Sequence, residues 1–255
     1  MIVLHIARRQ LGSFFMSPVG YIALAVFYVL FGVVFCSSKV SDQYITTADM
    51  GGPFQFALIL LAFLTPVLTM GTIAEERRLG TLEGLLTAPV THTALVLGKF
   101  LGVLAFYVIL LVPTAVHVFF VFHLSSVGPD VWVLASNYLG LLLLGCFMLS
   151  LGILCSSLTR SQVVAAMAGI ITLLLFLLVG AVLPGNPPSS LDPAQAAHIQ
   201  VLTALYNAAK FVAYGEHFMG FLSGAIDLRD VVFFVSFSVF FLFVSVVAVA
   251  NRKWR

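Results

Sequence analysis

The chain has 255 residues, of which 61% are hydrophobic and 9% charged, with a net charge of +2. A soluble domain carries about 25% charged and about 45–50% apolar residues. Lipid must therefore be the solvent for much of this surface, which leaves no room for a soluble domain. No basic run is long enough to suggest nucleic acid as a partner.

The N-terminus reads MIVLHIARRQLGSFFMSPVGY. Its apolar stretch before Arg8 is too short for a signal-peptide core, and no small-residue cleavage site follows. Residues 1–18 read as an interfacial segment with an amphipathic helix from Met1 to about Ser13. Arg8 and Arg9 would anchor it at lipid phosphates while Ile2, Val3 and Ile6 sink. The alternative is a frayed start carrying a chance pair of arginines.

A membrane-spanning helix needs about 20 mostly apolar residues. Six stretches qualify: Val19–Ser38, Phe54–Ala74, Ala94–Phe122, Val131–Ser156, Val163–Leu183 and Val231–Ala250. The third and fourth exceed that length, which implies tilt or extension beyond the bilayer. The fold class expected is thus an all-α polytopic membrane protein, a single domain over residues 1–255.

With six spans both termini share a side. That side would hold Arg8, Arg9, Arg77, Arg78, Lys99, Arg160, Arg252, Lys253 and Arg255. The other would hold Lys39, Lys210 and Arg229. Nine against three places both termini in the cytoplasm. Lys39 and Lys99 sit at span ends, where they can snorkel.

Thr65-Pro66 within the second span would kink it, although such kinks also occur in inert helices. With Thr69 they are the candidate gate or path residues. After this span comes AEERRLGTLEGLLTAPVTHTALVLGKF. Glu75, Glu76, Arg77 and Arg78 cluster at the exit. Leu79, Leu82, Leu85 and Leu86 then recur at near-helical spacing. The pattern describes a short amphipathic helix on the membrane surface within residues 75–90, ended by Thr87 to Val90. Thr91 or Thr93 would cap the third span. Such a helix can fit a groove on a soluble partner, and force applied there would tilt the second and third spans together. The plain alternative is a solvated connector.

Little else is ionisable inside the spans. His117 lies well within, and a hydrogen bond in the bundle accounts for it. His117 and His123 do not share a helical face, and His198 and His217 read as interfacial. A proton- or sodium-coupled carrier needs Asp, Glu or His near the midplane, so secondary transport is disfavoured. No metal-ligand spacing links Cys36, Cys146 and Cys155, and no metal site is expected. Gly140, Gly145 and Gly152 would permit close helix approach in the fourth span. Ser156 and Ser157 read as its end.

Residues 184–230 form the longest loop, placed outside by the topology. PGNPPSSLDP opens it as a turn-rich stretch. Ile199, Leu202, Tyr206, Ala209 and Ala213 then share a helical face, and Phe218, Phe221 and Leu222 stay apolar beyond Gly215. Two short amphipathic helices are expected, resting on or dipping into the outer leaflet. A surface cap without a transport role remains the alternative. The other outer loops, Lys39–Pro53 and His123–Asp130, are too short for a substrate-binding domain.

The run Glu75-Glu76-Arg77-Arg78 through Gly80-Thr81-Leu82-Glu83, with Leu85-Leu86-Thr87 and Pro89-Val90, resembles the coupling-helix region of type-2 ABC permeases. VLGKF at Val96 to Phe100 and SLTRSQVVAA at Ser157 to Ala166 also fit. So do FLSGAIDLRDVVFF at Phe221 to Phe234, the closing NRKWR and the RRQLGSFFMSPVGY start. Together, over essentially the whole chain, they resemble the gliding-motility-type (GldF-like) permeases.

The resemblance implies a six-span subunit of the bacterial inner membrane that pairs with a second copy or a paralogous permease. Two copies of a cytoplasmic ABC ATPase would drive it. Glu75, Glu76, Arg77, Arg78, Gly80, Thr81 and Glu83 would engage that ATPase. Loop helices after the fifth span would wall the exit, and substrate would pass along the second and fifth spans. ATP and Mg would sit on the partner. This chain has no G-x-x-x-x-G-K-[ST] loop, since Gly98-Lys99-Phe100 lacks the upstream glycine and the hydroxyl residue. It is therefore not expected to be an enzyme or to bind a cofactor. An ATP-driven exporter is the leading function implied. A mechanotransmitting or structural subunit of an envelope machine, which carries no substrate, is the second.

Overall fold

A computed structural model describes residues 2–41, 51–80, 91–124, 130–182, 206–207 and 210–251. Every long element among them is a helix: α1 (Ile2–Met16), α2 (Pro18–Ser41), α3 (Gly51–Thr69), α4 (Gly71–Arg78), α5 (His92–Leu111), α6 (Thr114–Leu124), α7 (Val131–Leu158), α8 (Gln162–Val182), α9 (Tyr214–Leu222) and α10 (Leu228–Asn251). Among the described residues, six stretches are long and apolar enough to cross a membrane. They are Pro18–Ser37, Gly51–Arg78, His92–Phe120, Val131–Leu158, Gln162–Val179 and Leu228–Asn251. The protein is an all-α, multi-pass membrane protein, as its composition requires.

α7 is the hub. It packs against α3, α4, α5, α8, α9 and α10. The expected close approaches occur along it, each to a different partner. A Cβ on Gly140 would lie 2.8 Å from Phe221 of α9, and one on Gly145 2.2 Å from Tyr107 of α5. A Cβ on Gly152 would lie 2.0 Å from Thr69 Oγ1 of α3. Lipid tails give helices no hydrophobic reason to associate, so the contacts that small residues allow carry the packing.

α1 is a helix, as expected, but its apolar residues do not simply sink into lipid. Val3 and Ile6 lie over Gly98 of α5, and Ala7 and Gln10 over Gly102. These two glycines, one helical turn apart, make the seat for α1. Arg8 and Arg9 stay exposed. Pro18 opens α2 at a position where a missing N–H costs nothing, and Ser17 Oγ accepts from Val19 N at 3.2 Å.

The third span is not one helix. It breaks at Val112 and Pro113, because proline has no N–H for the ladder. Thr114 Oγ1 donates to the Leu111 carbonyl at 2.6 Å across the break. Beyond it His117 packs edge-on between Phe31 and Phe35, with ring centroids 5.3 and 4.9 Å away.

Candidate functional site

The second span continues through Pro66 without ending there and is interrupted at Met70. Pro66 packs against Gly169 of α8, whose added Cβ would lie 2.9 Å away. Thr65 and Thr69 turn their hydroxyls back to the carbonyls of Leu61 and Thr65, at 2.8 and 2.9 Å. All three candidate gate residues are buried where α3 crosses α7 and α8.

The charged cluster then proves to be part of that span. Glu75 to Arg78 form the last turn of α4, which follows α3 directly, so they lie at the exit of the second span. Leu79 N–H donates to the Glu75 carbonyl at 2.9 Å, and Gly80 N–H to the Arg77 carbonyl at 3.3 Å. Gly80 has φ +70°, the left-handed conformation that glycine supplies just beyond a helix end. Its role is to stop α4. Thr81, Glu83 and Leu82, Leu85 and Leu86 lie outside the described residues. Downstream, Thr91 caps α5, its Oγ1 accepting from Ala94 N at 3.2 Å.

Helical geometry divides the four charges into two faces. Glu75 and Arg78 are exposed, together with Leu79. Glu76 and Arg77 turn inward. Glu76 Oε1 lies 2.5 Å from Lys99 Nζ of α5, and the two side chains are only 17% and 6% exposed. Lys99 Nζ also donates to Gln10 Oε1 of α1 at 3.3 Å. Lys99 is therefore not a snorkelling residue but the centre of a joint between α1, α4 and α5. Arg77 donates to the Ser157 carbonyl at the end of α7. Cations favour a helix C-terminus, where carbonyls lack partners.

Ser156 completes the arrangement. Its Oγ accepts from Ile73 N and Ala74 N, both at 3.1 Å, and donates to the Met70 carbonyl at 2.9 Å. The two serines do mark the end of α7, and they also bind the start of α4, which the sequence did not indicate. A cavity of about 520 Å³ lies beside this joint. Gln10, Glu75 and Gln162 contribute to its polar wall, Phe14 and Leu68 to its apolar wall.

A second polar cluster lies at the opposite face, around α9. Tyr214, His217, Phe218 and Phe221 are buried there, so the second of the expected loop helices packs into the protein. The first falls largely outside the described residues. His217 is buried rather than interfacial. It stacks on Phe233 with centroids 4.0 Å apart, and its Nδ1 lies 2.6 Å from Asp230 Oδ1 and its Nε2 3.0 Å from the Phe211 carbonyl. Burial pushes the Tyr214 phenol above its ordinary range. Lys210, Glu216, Asp227 and Arg229 share the wall of a cavity of about 370 Å³ with this pair.

Among the described residues, no group of His, Cys, Asp and Glu could hold a metal ion. The polar groups form a set of joints that ties one short charged helix to three others, with Glu75, Arg78 and Leu79 exposed on its other side.

The profile of the ABC-2 family transporter protein matches residues 4–251. No curated protein matches the chain. Six apolar helices and a family match over nearly the whole length lead to one conclusion: the chain belongs to the ABC-2 transporter family, as a membrane-spanning permease subunit of an ABC transporter.

Proposed function

We propose that this permease couples ATP hydrolysis by a separate cytoplasmic ATPase to export, with the exposed face of α4 as its docking edge. One observation carries the reading. Glu75 and Arg78 are exposed on a helix whose other charges, Glu76 and Arg77, are tied to the joint with α1 and α5 and to the end of α7. A partner that pushes on this edge therefore moves a joined set of helices.

Two ATPase copies would act on a pair of permeases, either two copies of this chain or this chain with a paralogue. Both termini and α4 would face the cytoplasm of a bacterial inner membrane, in keeping with the Lys/Arg bias of the loops. The GldF-like resemblance fits this organisation. The cargo is read only as far as export.

Co-purification with the candidate ATPase from nanodiscs tests the reading. The wild type should retain the ATPase. Glu75→Ala/Arg78→Ala should lose it while keeping its fold, since both side chains are exposed. A wild type that retains no ATPase would remove the energy source and sink the proposal.

A further inference from the structure

An uninterrupted helix would join Ala74 N–H directly to the Met70 carbonyl, four residues back. Here Ser156 Oγ stands between them, taking the Ala74 N–H at 3.1 Å and giving its own proton to Met70 O at 2.9 Å. It takes the Ile73 N–H as well, at 3.1 Å. A side chain from α7 is thus inserted into the ladder at the α3–α4 junction, which is a recognised cause of local helix deformation. Ser156 is fully buried, as are Ile73 and Ala74.

We propose that Ser156 is a positioning residue for energy coupling, a hinge pin that holds the α3–α4 junction open and makes α7 follow α4. This rests on the reading that α4 receives the ATPase. The junction has two self-consistent states. In one, Ser156 bridges Ala74 and Met70, as observed. In the other, α7 withdraws, Ala74 N–H closes on Met70 O, and α3 and α4 become one continuous helix. In the second state Ala74 N–H pairs with the Met70 carbonyl, Ile73 N–H takes the Thr69 carbonyl four residues back, and the Ser156 hydroxyl turns to the Gly152 carbonyl of its own helix, so each of these buried groups keeps a partner.

The surroundings favour a movable pin over a fixed cap. Gly152, one turn before Ser156 on α7, lies directly against Thr69. The two helices therefore touch closely enough for a shift of either to change the hydrogen bonds of the hydroxyl. Gly71, the first residue of α4, has no side chain to resist rotation about the junction. Coupling through packed helices requires such an element with two discrete arrangements.

Spin labels at Leu79→Cys and Trp132→Cys, both exposed, report the separation of α4 from the far end of α7. The three native cysteines would be replaced by alanine in this background. Ser156→Ala should shift the nucleotide-free distance distribution away from wild type. It should also reduce the ATP-induced change, with a population shift of about fivefold, the size expected for one exchanged hydrogen bond. Ser156→Thr keeps the hydroxyl and should restore both. A merely structural serine would give lower stability with unaltered distributions. If Ser156→Ala matches wild type with and without ATP, the pin is refuted. Should the alanine variant fail to insert, Ser156→Val, which matches the threonine variant in shape but lacks the hydroxyl, carries the same test. ATPase retention is scored separately. The nucleotide-free arm needs no ATPase, so failure of the pin and failure of the docking reading are distinguished.

Discussion

Glu76 and Lys99 form an ion pair at 2.5 Å between α4 and α5, almost entirely withdrawn from solvent. Removing one partner leaves a buried charge without its counter-ion, which costs about 3–5 kcal/mol in comparable pairs. Glu76→Gln should therefore lower the unfolding temperature in detergent well below wild type. Glu76→Gln/Lys99→Met should recover most of the loss, because both charges go together. Thermal scans of the four proteins in one detergent give the double-mutant cycle. If the double variant is as unstable as the sum of the singles, the pair is not the source of the stability.

The seat of α1 predicts a second effect. A Cβ on Gly102 would stand 2.6 Å from the Ala7 carbonyl and from Gln10 Cβ, and one on Gly98 2.7 Å from Ile6 Cβ. Gly102→Ala should cost about 1–3 kcal/mol as overpacking. The strain is relieved when α1 lifts off, so the damage should be local. Hydrogen exchange over residues 2–16 should quicken, while α7 remains protected. Uniform deprotection of the whole bundle would contradict this account.

These positions show what the sequence could reveal. The six spans are set by composition alone, since a helix in lipid is apolar all round and its hydrogen bonds are internal. The glycines of α7 were legible because only close packing gives a lipid-embedded helix a use for them. Lys99 read as snorkelling because an isolated lysine at a span end does that. Its partner Glu76 is adjacent only once α4 and α5 are placed side by side. Ser156 read as a helix end, since its three hydrogen bonds reach residues more than 80 positions away. The break in the third span has a visible sign in Pro113, but the length of that stretch reads as tilt or extension beyond the bilayer. The charged cluster is legible as lying where the second span exits. Its division into exposed Glu75 and Arg78 and inward Glu76 and Arg77 required the phase of α4, which depends on the junction at Met70.

The contact between Gly145 and Tyr107 separates packing from hydrogen bonding. Tyr107 is fully buried, and its hydroxyl donates to the Leu141 carbonyl at 2.7 Å. Tyr107→Phe removes that bond and keeps the ring, for a loss of about 1 kcal/mol. Gly145→Ala would set a methyl 2.2 Å from the Tyr107 ring, with no room on the α7 side. It should be the more damaging of the two, about 1–3 kcal/mol, although it is the smaller chemical change. Unfolding of both variants in nanodiscs checks the order. The reverse order would mean that α5 and α7 are further apart than described.

The His217 pair supplies the last prediction. A backbone carbonyl only accepts, and so does an ionised carboxylate. His217 bonds to both at once, so its Nε2–H donates to the Phe211 carbonyl, and its Nδ1 shares a hydrogen with the Asp230 carboxyl. The imidazole thereby ties α9 to Asp230 of α10 and to the Phe211 carbonyl, while its face rests on Phe233. His217→Phe keeps the stacking and loses both bonds. It leaves the Asp230 carboxylate and the Phe211 carbonyl to find other donors, at a cost of about 1.5–3 kcal/mol. His217→Gln offers a single amide and should lie between that variant and wild type. The effect belongs to α9, which is joined to the bundle at few polar points, so hydrogen exchange over residues 214–222 is the sensitive measurement. Faster exchange there in His217→Phe, with ATPase retention unchanged, would show that α9 is fastened independently of the coupling joint at the other face. Equal exchange in all three proteins would mean that aromatic packing of Tyr214, Phe218 and Phe221 holds α9 without the histidine.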